Sequence, residues 1–358
     1  MHVLFVGPFP WPSHQGSQVY LAGQARALVE RGHRVTLAVY GVGQGGEIPG
    51  VTLLRARRVP LAKPFAGGLS VSRPLADIAL ARAVRRYCRT QAVDVLHAHN
   101  VEGPLVARLA RTGLPVVYDL HTEMREELAS HLPPPFRALG PPVGALFDRL
   151  AVRVSDAGCA ISERARAHLE AGGLPTVTVG HALHPDDLHV RPGAHERLRL
   201  PPRFVVYTGN LDGYQDLPLL YRAMEGVGVP LVVVTGSHAP LPEGVIAVRS
   251  ASFRDAMDVL AVADVAVIPR RQCTGLPVKL LNQLGVGCPT VMMRSAAVDL
   301  PGVVTATPDT LEDVLRGLLA DPARLRTLGE AGRAAVLAEW TWDVRAERLE
   351  ALYALLRG

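Results

Sequence analysis

Lysine and asparagine are nearly missing from this chain. Lysine occurs only at Lys63 and Lys279, so almost all of the 38 basic side chains are arginine, and asparagine only at Asn100, Asn210 and Asn282. Cysteine is scarce as well. Cys88, Cys159, Cys273 and Cys288 show no CxxC spacing, which excludes a disulfide framework and a zinc knuckle. No apolar run approaches the roughly 18 residues of a membrane span. The opening run His2-Val3-Leu4-Phe5-Val6 meets Gly7 and Pro8. It is too short, and lacks the basic flank, for an export signal, so a reduced cytoplasmic chain is expected. A net charge of +5 is too mild to require nucleic acid as a partner. Apolar residues, in contrast, make up 48% of the 358 and charged ones 20%, a balance that excludes a disordered chain. The length suggests two or three domains.

Short Val/Leu/Ile runs alternate with longer Ala/Leu/Arg stretches. The runs Val3–Val6, Arg34–Tyr40, Val51–Leu54, Val93–His99, Val116–His121, Ala157–Ile161 and Val177–Val179 read as strands, and Val19–Arg31, Leu75–Gln91, Pro104–Thr112 and Glu163–Ala171 as the helices between them. Strands that are apolar throughout are buried on both faces, as in a parallel sheet covered by helices. Pro185–Arg203, rich in Pro, Asp, Arg and His, interrupts the pattern, which restarts at Phe204–Thr208. Two long helical stretches close the chain, Pro322–Glu339, with Asp321 placed to cap it, and Trp342–Leu356. The expectation is an α/β protein of two doubly wound, Rossmann-like domains, residues 1–184 and 204–341, with a linker at 185–203 and a terminal helix at 342–358. Such sheets bind ligands beyond the carboxyl ends of their strands, which places a site in the cleft between the domains.

Four segments could carry chemistry. The loop from Gly7 to Ser17 leads into a helix, and Gly16 would let the backbone approach phosphate or sugar. Without a GxGxxG pattern, a dinucleotide site is not expected. In the second segment, His97-Ala98-His99-Asn100, both histidines point to one face of a strand. His97 reads as structural, whereas His99 and Asn100 at the strand tip are candidates for an acceptor. No further ligand follows at metal-site spacing, so no metal is expected. In the third, Asp119-Leu120-His121-Thr122-Glu123, His121 ends a strand and could share a proton or a sugar hydroxyl with Glu123. The fourth runs from Arg270 to Asn282 and opens a helix at Pro277. Backbone N–H groups at Gly275, Leu276 and Val278, with Lys279 and Arg270 or Arg271, would suit an anion such as phosphate.

In order and spacing, these segments resemble the GT-B glycosyltransferases of the family 4 type over essentially the whole chain. The resemblance is carried by the loop around Gly16, Glu30-Arg31-Gly32-His33-Arg34-Val35, His97-Ala98-His99, His121, Tyr207-Thr208-Gly209-Asn210-Leu211 and Gly275-Leu276-Pro277…Asn282…Gly287-Cys288-Pro289-Thr290. It implies sugar transfer from a nucleotide diphosphate sugar, with retention and without a metal or cofactor, and a final helix that returns to the first domain. It also assigns positions. Thr274 and Asn282 stand where the family has two glutamates that read the donor sugar and the ribose. Asn210 and Gln215 stand where it has an Arg and a Lys on the diphosphate. The resemblance matches His121 to the family's histidine; His121 and, from its spacing, Glu123 are the candidate catalytic residues.

The expected function is therefore a retaining transferase using a UDP- or GDP-sugar and an acceptor that the sequence does not identify. Two alternatives stay open: a nucleotide-sugar 2-epimerase, which would draw on Asp119, Glu123 and Glu102, and a non-catalytic nucleotide-sugar-binding regulator. The loop Arg55–Phe65, with four cations beside Leu61 and Phe65, suggests weak peripheral contact with the inner membrane face.

Overall fold

The computed structural model describes residues 1–12, 16–59, 73–250, 252–273 and 276–357. The chain divides into two compact units, Met1–Gly180 with Trp342–Gly358, and His181–Thr341.

Unit 1 runs β1 (His2–Gly7), α1 (Gly16–Glu30), β2 (Arg34–Val39), β3 (Val51–Arg55), α2 (Arg73–Thr90), β4 (Val95–His99), α3 (Glu102–Leu109), β5 (Val116–Leu120), α4 (Met124–His131), α5 (Gly140–Arg153), β6 (Ala157–Ala160), α6 (Glu163–Ala171) and β7 (Thr176–Thr178). Its seven strands lie in the order β3-β2-β1-β4-β5-β6-β7, and every pairing is parallel. Parallel neighbours need crossovers, and the apolar runs are buried on both faces because helices cover both. Leu4, Val6, Leu96 and Ala98 pack on one side with α2 and α3. Phe5, His97 and His99 alternate with them onto the other, where the Phe5 ring lies 4.9 Å from each histidine ring.

Unit 2 comprises α7 (Ala194–Leu198), β8 (Val205–Thr208), α8 (Leu217–Met224), β9 (Leu231–Thr235), β10 (Ile246–Arg249), α9 (Phe253–Val262), β11 (Val265–Ile268), α10 (Val278–Gly285), β12 (Thr290–Met293), β13 (Val303–Ala306), α11 (Leu311–Leu319) and α12 (Pro322–Glu339). Its six-stranded parallel sheet has the order β10-β9-β8-β11-β12-β13. Alternate strand residues feed two cores. Val206, Val232, Ala266 and Met292 enter one, and Val205, Val233, Val267 and Val291 the other. Asp321 caps α12 as its sequence suggests, accepting the Arg324 N–H at 2.9 Å.

Two expectations are corrected. Residues 185–203 are not a free linker: Leu188, Ala194 and Leu200 are buried in the core of unit 2, and the buried Asp258 accepts the Arg191 N–H at 2.8 Å. Burial of three apolar side chains and a paired carboxylate holds the stretch to the unit despite its polar composition. Residues 124–153, given no helix from the sequence, form the α4–α5 hairpin; Pro141 and Pro142 sit in the first turn of α5, where a missing N–H costs nothing. No described helix is long and apolar enough to cross a membrane.

The last helix, α13 (Trp342–Leu355), belongs to unit 1 and packs on α1 and β7. An ion cluster fastens it. Arg31, just past α1, donates to both oxygens of Glu350 at 2.9 and 2.8 Å and to Asp343 at 2.7 Å, while His33 contacts Glu350 at 2.7 Å. The hydrogen bonds from Arg31, joined by those of His33 and both charges, hold the Glu350 carboxyl down at about 2, below its ordinary 4.5. A depressed carboxylate stabilises the fold above its unfolded value and stops doing so as pH falls toward the folded one. Glu350→Gln should therefore lower stability near neutral pH by about 1 kcal/mol. In chemical denaturation that deficit should shrink as pH falls from 4.5 toward about 2.

Candidate functional site

The carboxyl ends of β4 and β5 in unit 1 gather four titratable side chains. Parallel register sets His99 beside Asp119, and two-residue alternation puts His97, His99, Asp119 and His121 on one face. Asp119 is fully buried. Its Oδ2 accepts from Gln24 of α1 at 2.9 Å and lies 3.1 Å from His97 Nε2. His99 Nδ1 lies 3.4 Å from Oδ2, and His121 Nε2 3.5 Å from Oδ1. Burial alone would raise the Asp119 carboxyl, but His121, His97 and His99 outweigh it and hold the group well below the usual range. As an acceptor only, Asp119 takes the Nε2 proton of His97, whose Nδ1 shares a 2.6 Å hydrogen bond with the Tyr353 hydroxyl of α13.

His121 is the outermost member, its side chain 5% exposed. Its Nε2 lies 3.3 Å from His99 Nδ1, its ring stands edge-on to Tyr20 at 5.1 Å, and its Nδ1 has no partner among the described residues. This leaves one imidazole nitrogen of fixed orientation to offer to a ligand.

The other residues expected here stand apart. His99 does not reach an acceptor: it is fully buried, stacked on His97 at 4.9 Å, and burial holds its pKa well below the ordinary value. Asn100 sits at φ +61°, where asparagine is tolerated, and makes the turn into α3; its N–H donates to the Asp119 carbonyl and its own carbonyl accepts from Gly103. Glu123 does not join His121. It contacts His168 at 3.3 Å and Arg164 at 3.7 Å, both on α6. Gly16 is the first residue of α1.

His97, His99 and Asp119 bring one ligand atom each within 4.8 Å of one another, a third member that the HxH spacing did not reveal. Both ring nitrogens of His97 are already hydrogen-bonded, so an ion would have to displace Tyr353 or Asp119.

In unit 2, β8 runs into Gly209 at φ +136°, where a Cβ would also lie 3.2 Å from both Lys279 Nζ and the Tyr207 hydroxyl. Glycine alone suits this point. Asn210 Nδ2 donates to Asp212 at 2.7 Å and to Tyr214 at 2.9 Å, and its Oδ1 accepts from Gln215 at 2.9 Å. Gln215 is buried, and its Oε1 accepts from Lys279 Nζ at 2.9 Å. The ammonium also lies 4.6 Å from the centre of the Tyr207 ring, a cation–π contact. Lys279 belongs to the first turn of α10, where unpaired N–H groups and the helix dipole favour anions. Burial, then the charge of Arg270, lowers its pKa to about 8.

Of the two candidate arginines, Arg270 is the one beside Lys279, and its buried Nε has no partner among the described residues. Arg271 turns to Asp216 at 2.6 Å. Leu276 is half-buried against the core, and Asn282, also half-buried, is not in the hydrogen-bonded network among the described residues. Thr274 and Gly275 lie outside the described residues.

A family model described as a glycosyl transferase 4-like domain matches residues 15–181, and one described as glycosyl transferase-like matches residues 222–351. The fold is that of sucrose-phosphate synthase from Thermosynechococcus elongatus, with a TM-score of 0.72 at 17% identity over 99% of this chain and 98% of that one. Anabaena HepE, in complex with UDP and glucose, superimposes with a TM-score of 0.68 at 15% identity over 99% of this chain and 100% of that one. The chain belongs to the GT-B glycosyltransferases of the family 4 type. A curated relative is 33% identical over an alignment 112 residues long, and the match covers 27% of this chain and only 29% of that protein. It is the GDP-mannose-dependent monoacylated alpha-(1-6)-phosphatidylinositol monomannoside mannosyltransferase of Corynebacterium glutamicum.

Family membership gives the Lys279 network a clear test. Lys279→Ala should weaken UDP or GDP binding by at least about tenfold, the scale of one charge-assisted contact. Lys279 keeps its proton below about 8 and loses it above, so wild-type affinity should fall as pH rises through that value. In calorimetry the variant should lose this pH dependence; an unchanged affinity would remove Lys279 from the diphosphate site.

Proposed function

We propose that this chain transfers a glycosyl group from a UDP- or GDP-sugar to an acceptor hydroxyl, with retention at the anomeric carbon and without a metal ion. The observation that carries the reading is the half-buried Lys279 ammonium at the start of α10, held by Gln215 and Tyr207. A departing diphosphate gains negative charge. A fixed cation and the positive end of a helix stabilise that charge without reorganising, the task a metal performs in other sites. Arg270, whose buried Nε has no partner among the described residues, supplies a second cation. Asn210, Thr274 and Asn282 complete the donor contacts as hydrogen-bonding groups. His121 offers Nδ1 to the donor sugar, close to its 6-hydroxyl or its anomeric face. The acceptor is met by unit 1, near Gly16, His121 and Glu123.

The named ligands of relatives support a nucleotide diphosphate sugar but differ in the base: UDP and glucose for HepE, GDP-mannose for the curated relative. That relative's acceptor carries a phosphatidylinositol anchor, which supports a lipid-linked acceptor and peripheral membrane contact here. The Arg55–Phe65 loop was the expected contact. In its described part, Arg55 is spent on the carbonyls of Trp11 and Gly45, and residues 60–72 lie outside the described residues.

Epimerisation needs converging free carboxylates. Asp119 is buried, Glu123 is paired with α6, and Glu102 lies 3.2 Å from Arg73, so the three do not converge, which supports transfer. Thermal-shift screening against UDP-, GDP-, ADP- and TDP-sugars should find one donor that raises the melting temperature. With that donor, His121→Ala should reduce turnover by about 10²-fold while the nucleotide-induced shift stays the same. Tight donor binding with no turnover on any acceptor would favour the regulator reading instead.

A further inference from the structure

Helix α5 is packed inside out. Its buried side carries mainly small or polar residues, Gly140, Gly144, Asp148 and Ala151, with Val152 near its end. Gly140 lies against Ala129 and Gly144 against the backbone of Met124 and Arg125, so closely that a Cβ at either glycine would overlap. Asp148 accepts the N–H groups of Met124 and Arg125 at 2.8 and 2.9 Å and so satisfies the start of α4. Most of the large apolar residues face the other way. Phe136 and Leu139 in the preceding turn, then Val143, Leu146, Phe147 and Leu150, are 39–56% exposed. Their three- and four-residue spacing makes one continuous stripe. A surface helix ordinarily buries such a stripe, and an exposed apolar patch of this kind marks an interaction surface.

Charge identifies the partner. Between residues 132 and 154 the cations are Arg137, Arg149 and Arg153, all exposed; the lone acid, Asp148, is buried and committed to α4. Helix α3 packs against both α5 and α2. The outward side of α2 adds exposed Arg82, Arg85 and Arg86, and its Asp77 is bonded to Tyr40. On the neighbouring α4, Glu126 is paired with Arg164 and Glu127 with His131. An apolar stripe flanked by arginines, with no free carboxylate on its own helix, complements an anionic lipid surface. It opposes a second copy, because a two-fold contact would set the arginines against each other.

We propose that the outer face of α5 and the turn before it dock onto anionic membranes, with the tips of Leu146 and Phe147 entering the headgroup region and Arg137, Arg149 and Arg153 on lipid phosphates. The inference goes beyond glycosyl transfer and needs neither a donor nor an acceptor.

Co-sedimentation of the full chain with vesicles of phosphatidylcholine plus phosphatidylglycerol tests it. Wild type should pellet with these vesicles, less at high salt, and remain in solution with pure phosphatidylcholine. The double variant Leu146→Gln/Phe147→Gln should bind at least about tenfold more weakly, and so should Arg137→Gln/Arg149→Gln/Arg153→Gln. Both sets of side chains are exposed, so melting temperatures and nucleotide-induced shifts should match wild type. Equal pelleting of wild type and the double variant would overturn the proposal. So would wild type that ignores all vesicles but self-associates in sedimentation velocity through Leu146 and Phe147. A chain that binds vesicles but no sugar nucleotide sinks the transfer reading alone, and the reverse result sinks this one alone.

Discussion

The buried Asp119 carboxylate is the constraint on which unit 1 depends. An ionised carboxylate removed from water is very costly unless hydrogen bonds surround it. Here they come from separated parts of the chain, Gln24 of α1 and His97 of β4, while the His121 ring at the end of its own strand stands 3.5 Å away. His97 extends the network to Tyr353 of α13, more than two hundred residues along the sequence. The group that orients His121 thus also ties the first and last helices to the sheet. Removing it would leave several buried donors without acceptors, so its loss would damage the fold as well as the site.

The diphosphate site proposed in unit 2 poses the opposite problem, holding a cation where an anion would come and go. Charged partners around Lys279 would compete with a diphosphate. Gln215 and the Tyr207 ring hold the ammonium with a neutral carbonyl and a π face instead. Where the family has an Arg and a Lys, this chain has Asn210 and Gln215 hydrogen-bonded to each other. The neutral pair holds Lys279 through Gln215 Oε1, and Arg270 lies beside it.

Much of this was legible in the sequence because it is local. Apolar runs of four to six residues betrayed parallel strands, and a lone lysine two residues past the helix opener Pro277 marked the candidate anion site. What stayed hidden depends on the third dimension. Asp119 could be suspected from the Asp119–His121 alternation, but Gln24 and Tyr353 reach it only through the fold. His99 reads as a strand-tip residue; the neighbouring β5 buries it behind His121. The stretch 185–203 has linker composition, yet three apolar side chains suffice to pack it. Helix α5 escaped notice because Gly140-Pro141-Pro142-Val143-Gly144 reads as a turn. Its prolines start the helix, and its glycines are the points of closest approach to α4.

That same closeness turns the leucines and phenylalanines of α5 outward and gives the proposed docking face a direction. In a parallel sheet the crossover helix runs back from the carboxyl ends of the strands to their amino ends. The amino end of α5 and the turn carrying Phe136 and Leu139 both pack on α4, which begins three residues after His121. The middle of the stripe therefore passes the edge of the sheet near His121, since Gly144 and Asp148 lie against Met124 and Arg125 at the start of α4. An acceptor anchored in a lipid surface would reach the strand ends from that edge without leaving the membrane, whereas a soluble acceptor would gain nothing from an apolar helix face. The small residues that let α5 sit tightly on α4 thus decide which side chains meet the outside, and so whether the proposed docking face exists at all.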